Sequence, residues 1–312
     1  MVRLSFLLAS SWGKGVITTM LAQQLLNGIA LGFIYILIAV GLTMIYGILK
    51  LLHFAHGVIY MVGAFAAMIG IMYLHMHFLV ALLFAMVISA LAGMAIERFA
   101  YRPLRGSHPI TTLISGIGIS IFLENLFQIL FTSDTRPFPQ AGIDVTVVQI
   151  TETISLPNTK LFIIIAGILA LGLLYAFLRF TKLGVAIQAA AQDIRAASLM
   201  GVNVNRVISA TFMLGSALAS VGGVLVALTY NSIFPTMGTI PGLKAFCVVV
   251  LGGLGSIPGT VVGGLILGIV EALSDGFLSG MVIDKDAISF VILIAILMVR
   301  PSGLFGKNIE KV

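Results

Sequence analysis

From Leu21 to Gly47 the chain reads LAQQLLNGIALGFIYILIAVGLTMIYG, with no charged side chain in the run. A helix crosses the hydrocarbon of a bilayer with about 20 mostly apolar residues, so this stretch is long enough to span it. Comparable runs lie at 56–75, 78–98, 110–131, 161–179 and 207–229, with a glycine-rich one at 244–274 and a shorter one at 286–300. They are uniformly apolar and do not alternate as the strands of a membrane barrel do. Backbone N–H and C=O groups in hydrocarbon must be paired within the segment, which makes such spans helices. The expected fold is all-α: a polytopic membrane protein of about seven to eight transmembrane helices, 1–312 forming a single domain. Composition agrees, with 60% hydrophobic and 9% charged residues against about 45–50% and about 25% in soluble domains.

The formal net charge of +6 is spread over loops and forms no patch, so it reads as a topology signal and not as nucleic-acid binding. Arg98, Arg102 and Arg105 fall in 98–109; Lys182, Arg195 and Arg206 in 180–206, with Arg179 at its edge; Arg300, Lys307 and Lys311 in the tail. These three segments are expected on the cytoplasmic side. The 132–160 loop offsets Arg136 and Lys160 with Asp134, Asp144 and Glu152, and 275–286 has only Lys285, so both are expected outside. Counting crossings then places the N-terminus in the periplasm and the C-terminus in the cytoplasm. The opening MVRLSFLLASSWGK has a short apolar run without a clear cleavage motif and is read as part of the chain, not as a cleaved signal peptide. Cys247 is alone, which excludes a disulfide framework and a cysteine-rich metal site.

This count makes 244–274 leave and return on the outer side, in a length too short for two full spans. A re-entrant pair of short helices, or a pair broken at GGLGSIPG (252–259), satisfies both constraints; a single span with one loop on the other side is the alternative. GGLGSIPGT lacks the Gly-Lys-Ser/Thr ending of a phosphate-binding loop. Small residues four apart recur: Gly28 with Gly32, Gly255 with Gly259 and Gly263, Gly264 with Gly268, and Gly215 with Ala219 and Gly223. Such faces let membrane helices approach closely, either within this chain or between two chains.

A polar segment interrupts the apolar pattern at 181–206, TKLGVAIQAAAQDIRAASLMGVNVNR. Gln188, Gln192 and Arg195 share one helical face and Ile187, Ala191 and Ile194 another, the pattern of a short amphipathic helix on a membrane surface. Asp193 suits the N-cap of a second short helix, Gly201 its stop, and Asn203 or Asn205 the start of the next span. Ordinary helix–helix connections are much shorter, which points to a docking element. Inside the spans, Glu124 beside Asn125, and Glu271, are costly in hydrocarbon and face the bundle interior, lining a solute path or pinning helices together. His53 and His56 stand three apart without a nearby carboxylate, so no metal site is expected there and a helix break is. No constellation for catalysis is present.

Several stretches together resemble the branched-chain amino acid ABC permeases. They are NGIALGFIYILIAVGLTMIYGILKLLHFAHGVIYMVGAF (27–65), ERFAYRPLRG (97–106), AAQDIRAASLMGVNVNRVISATFMLGSALASVGGVL (190–225), GLKAFCVVVLGGLGSIPGTVVGGLILGIVEAL (242–273) and RPSGLFG (300–306). The resemblance implies the shorter of two homologous permeases in a leucine, isoleucine and valine importer of the bacterial inner membrane. Two ABC ATPase subunits would bind ATP and Mg, with no cofactor on this chain, and a periplasmic amino-acid-binding protein would deliver the solute. Carried over by position, Gly184, Gln188, Ala190, Asp193, Arg195, Ala197 and Gly201 would form the cytoplasmic coupling helix that docks on an ATPase. The family often has basic residues where Val185 and Gln188 stand here, leaving Arg195 as the main charge of that face. The solute path would draw on Asn27, Tyr35, Thr43, Tyr46, Ser115, Glu124, Asn125, Lys244 and Glu271. The same permease pattern also serves importers of urea, short amides or other small polar solutes. A stand-alone secondary transporter would need ion-coupling groups and an internal repeat, and a passive channel would need no docking helix.

Overall fold

The structure is a computed structural model that describes residues 14–51, 53–139, 146–151, 154–277, 285–300 and 302–306. The opening thirteen residues with Arg3, and Asp144, Glu152, most of the 275–286 loop, Lys307 and Lys311, lie outside the described residues. Helices α1 (Lys14–Leu49), α2 (His56–Met72), α3 (Phe78–Ile96) and α4 (Pro109–Phe131) come first, with a π-helical turn Glu97–Tyr101 extending α3. A hairpin of β1 (Val147–Thr151) and β2 (Ile154–Pro157) precedes α5 (Asn158–Phe180). Two short helices, α6 (Lys182–Gln192) and α7 (Ile194–Leu199), lead to α8 (Val204–Tyr230), α9 (Thr239–Gly252), α10 (Ile257–Phe277) and α11 (Lys285–Val299).

Among the described residues, six helices are long and apolar enough to span a membrane: α1, α3 with its π turn, α4, α5, α8 and α10. Helices α2, α9 and α11 are apolar but shorter. The glycine-rich region is two helices broken at 253–256, within the expected hinge. It differs from a pair of short helices in that α9 starts earlier, at Thr239, and α10 is long enough to span alone. The strands form only a small antiparallel hairpin, Val148 opposite Leu156 and Gln149 opposite Ser155.

Helix α1 is the axis. Its most apolar window is 83% buried, the highest share of the six spans, and it packs against α10, α8, α9 and α5. The closest of these contacts is with α10. A Cβ on Gly28 would lie 2.6 Å from Ile269 Cα, and one on Gly32 would lie 3.1 Å from Leu265 Cα. A Cβ on Gly268 would in turn meet Gly32 Cα at 2.5 Å. The two small-residue stripes thus face each other inside one chain, antiparallel, which answers for them the choice between self-packing and a second chain.

Contacts sort the loops into two ends. At one, Gly47 of α1 lies against Ala191 of α6 and beside Gly255 of the α9–α10 turn. The Leu304 and Phe305 N–H groups donate to the Leu251 and Gly252 carbonyls, holding the tail on that turn. Arg105 Nη1 donates to Asn205 Oδ1 at 2.5 Å, bringing the 97–106 loop to the same end. At the other end Gln23 pairs with Ser155 of the hairpin (2.8 and 3.3 Å), and Arg136 and Ile233 exchange backbone hydrogen bonds of 2.9 Å. The 98–109 loop, the 180–206 segment and the tail therefore share one end, as their charge predicts.

Replacing Gly268 with Leu forces α1 and α10 apart, whereas Gly118 faces open space. Overpacking costs about 1–3 kcal/mol, so Gly268→Leu should lower thermal stability in detergent and the amount of chain in the membrane. Gly118→Ala should leave both unchanged. Equal behaviour of the two variants would refute the glycine contact as the organising one.

Candidate functional site

Two of the short helices begin inside the protein. After α1 ends, the chain turns at Lys50 (φ 55°) and runs inward, so that His53, Ala55 and His56 are all buried. Helix α2 therefore starts at the level of Ile38, whose carbonyl oxygen lies 3.1 Å from His56 Nε2. Helix α9 starts against it: Gly238 and Gly242 approach Gly57 so closely that a Cβ at any of the three would strike backbone. With 14 residues from the α6–α7 end upward, the start of α9 lies roughly 21 Å from that end at 1.5 Å per residue. That is within a hydrocarbon core of about 30 Å. Neither N-terminus has a side-chain cap.

A cavity of about 220 Å³ opens at this junction, with α4 as its far wall. Its surface is mostly apolar, from residues such as Leu42, Ile117, Ile121, Leu243 and Phe246. Its polar groups are few: His53, His56, Ser120, Thr239 and Glu124. Thr239 Oγ1 donates to Glu124 Oε1 at 2.9 Å, tying α4 to the start of α9. His53 Nδ1 lies 2.8 Å from the Tyr101 hydroxyl. That leaves His53 Nε2 and His56 Nδ1 buried without a partner.

Three of the residues expected on the solute path form a separate, closed cluster. Lys244 Nζ donates to Glu271 Oε1 (2.7 Å), Asp286 Oδ1 (2.5 Å) and the Tyr35 hydroxyl (3.1 Å). Tyr35 in turn donates to Glu271 Oε2 at 2.8 Å. Lys244 and Glu271 are 3% and 4% exposed, so the cluster pins α1, α9, α10 and α11 together. Asn27 accepts from Lys160 Nζ at 2.7 Å and lines a smaller cavity toward the hairpin end with Glu271 and Asp275. Thr43 is buried and bonded to Thr260 (2.6 Å). Tyr46 lines a third cavity, at the α6–α7 end, with Lys50 and Leu254. Ser115 lines none of these three. Asn125 is exposed on α4, its side chain donating to the Ile121 carbonyl at 2.7 Å. Of the expected path residues, only Glu124 reaches the junction cavity. His53, His56, Gly57, Gly238 and Thr239 were not among the expected path residues. The signal that finds them is length: α9 has 14 helical residues, too few to cross, and α2 has 17, at the lower limit of a span.

At the α6–α7 end the local stereochemistry follows the sequence closely. Thr181 Oγ1 accepts from the Gly184 N–H at 2.9 Å, capping α6. Asp193 Oδ1 accepts from the Arg195 and Ala196 N–H groups (2.7 and 3.0 Å), capping α7. Gly201 has φ 82° where α7 stops, and Asn203 Oδ1 caps α8 through the Arg206 N–H (3.1 Å). Gly184, Ile187, Ala190 and Ala197 are buried. Gln188 turns back to donate to the Leu178 carbonyl at 2.5 Å, which leaves the outer face to others. Arg195 is exposed, and Leu199 and Met200 are 89% and 85% exposed. Beside this segment Glu97, fully buried, receives Arg105, Arg102 (3.4 Å) and the Ser209 hydroxyl (2.7 Å). Burial lowers the Arg105 guanidinium below its ordinary value, and the Glu97 carboxylate works against that shift. Among the described residues no group of three or more His, Cys, Asp or Glu could hold a metal.

The profile of a family described as branched-chain amino acid transport system / permease component matches residues 24–297. The chain belongs to this permease family. It is 44% identical over 301 residues to the high-affinity branched-chain amino acid transport system permease protein LivH of Escherichia coli strain K12, covering 93% of this chain and 97% of that one. It is 38% identical over the same length to the corresponding permease protein BraD of Pseudomonas aeruginosa. The ribose import permease protein RbsC of E. coli is 38% identical over 113 residues, 34% of this chain and 35% of its own. No solved structure matches the chain. The permease is thus a multi-pass membrane protein of a transport family.

Removing one partner of a buried ion pair costs about 3–5 kcal/mol, because the other charge is left uncompensated. Lys244→Met should therefore destabilise the permease strongly, and Lys244→Met with Glu271→Gln should be less damaging than the sum of the single changes. A double-mutant cycle on detergent melting temperatures reads this coupling; strict additivity would show that the two charges do not stabilise each other.

Proposed function

We propose that this chain is one transmembrane half of an ATP-driven importer that carries branched-chain amino acids into the cytoplasm. The observation that supports it most is the α6–α7 pair. Two short helices, each side-chain-capped at its start, hold Leu199 and Met200 almost bare in a segment that also carries Arg195. An exposed apolar tip held this firmly suits insertion into a cleft of a partner. The partner is an ABC ATPase subunit, which binds ATP with its Mg; this chain performs no catalysis. A second ATPase serves the other half, a homologous permease of the LivM type. Helix α4 is the natural seat for that permease, since only 6% of its apolar window is covered by this chain.

In this reading the arginine-bearing end is cytoplasmic, with the C-terminus, and the start of α1 is periplasmic. A periplasmic amino-acid-binding protein docks at the opposite end, on the 132–160 loop and its hairpin and on 275–286. ATP binding biases the permease pair between inward- and outward-facing states because the ATPases hold the coupling helices differently in each.

Arg195→Glu should leave folding and membrane insertion intact and abolish ATP-driven leucine uptake; uptake at the wild-type rate would end the docking assignment. Sidedness has its own test, in a Cys247→Ser background with an impermeant thiol reagent. Cysteines at Asn231 and Gly276 should label from outside, and one at Leu254 only from the cytoplasmic face. Outside labelling of Leu254→Cys would reverse the orientation of the α9–α10 turn.

A further inference from the structure

The junction cavity has polarity of both signs in an apolar shell, which is the requirement for holding a zwitterion. The positive pole is the start of α2. A helix start carries a partial positive charge and N–H groups with no intrahelical acceptor, and this one has no side-chain cap. The negative pole is the Glu124 carboxylate, held at the start of α9 by the Thr239 hydroxyl through one oxygen.

The two histidines supply the independent observation. His53 and His56 are each 2% exposed and both line the cavity, and each keeps one ring nitrogen without a partner. Buried polar atoms are nearly always paired, so two orphans at one cavity call for an occupant. His56 Nε2 faces a carbonyl oxygen, which only accepts, so that nitrogen carries the hydrogen and Nδ1 of the neutral ring is an acceptor. An ammonium group supplies the donor it lacks. The apolar wall of Leu42, Ile117, Ile121, Leu243 and Phe246 presents no polar side chain to the remainder of the ligand. A volume of about 220 Å³ falls below the roughly 300–1,000 Å³ of pockets for drug-sized ligands and suits one small solute.

We propose that this cavity is a transit site for a free amino acid with an aliphatic side chain. The carboxylate points to the start of α2, the ammonium to Glu124 and His56, and the side chain to the apolar wall. The site lies in this chain, beside α4, and it gives the permease a means of selecting an aliphatic amino acid that is independent of the binding protein. The choice of ligand rests on the import function proposed above; the location of the site does not.

The test uses the assembled transporter in native membranes and a diazirine analogue of leucine. Ultraviolet irradiation should place adducts within 117–124 and 238–246, and excess leucine or valine should compete them away while glutamate does not. Glu124→Gln should reduce the adducts at least about tenfold, the loss of one charge-assisted contact, with the complex still recovered whole. Glu124→Asp should restore them in part, which a purely structural carboxylate bonded to Thr239 would not require. Adducts only elsewhere in this chain, in a complex that imports leucine, overturn the site and leave the import reading standing. A wild-type complex that imports no leucine overturns the import reading, and the ligand named here with it.

Discussion

The face-to-face contact between the glycines of α1 and α10 sets the positions of the other helices. Lipid tails are as apolar as leucine, so burial of hydrocarbon does not drive helices together inside a bilayer. Attraction comes from dense packing, and packing improves as the axes approach. Gly28 and Gly32 against Gly264 and Gly268 let two backbones touch, which places Tyr35 within reach of Glu271 and Lys244. Helix α8 then closes on α1 and α3 from the other side. The outer helices α4 and α5 bury far less of themselves.

Helix α9 connects the two regions of functional interest. It begins at the cavity, beside Gly57 and Glu124, and ends at the turn that touches Gly47 and the tail. Gly47 in turn lies against Ala191 of α6. One rigid helix therefore spans the distance from a solute-sized hole to the segment that bears the exposed Leu199 and Met200. The buried Glu97 with its two arginines and Ser209 ties the π turn after α3 to the start of α8 at the same end. These are contiguous contacts between the α6–α7 segment and the interior of the helix bundle.

What was legible in the sequence was local. The spans follow from runs of apolar residues, and the stops and starts around 193–203 follow from a side-chain oxygen or a left-handed glycine acting within three residues of itself. Charge in the loops sorted the ends for the same reason. What was not legible depends on partners far apart in the chain. Tyr35 and Glu271 are separated by 236 positions, and nothing in either neighbourhood says that they meet. The glycine stripes carry no label of their partner, so self-packing and dimerisation look alike until the axes are placed. The junction cavity was hidden for a third reason. It is made by where two helices start, and backbone N–H groups leave no mark in a sequence.

The Lys244–Glu271 pair bears on how the chain enters its membrane. A lysine or aspartate at the centre of a lone helix raises the cost of insertion by about 2.5–3.5 kcal/mol, and α9, with only 14 residues, has little apolar length to offset it. Its partner carboxylate arrives on the next helix, joined by the four-residue turn 253–256. Once both charges are inside they neutralise each other, so the favourable unit for partitioning is the α9–α10 hairpin and not either helix. Synthesis must therefore carry the chain past α10 before α9 gains a stable place in the lipid, and the pair behaves as one insertion event.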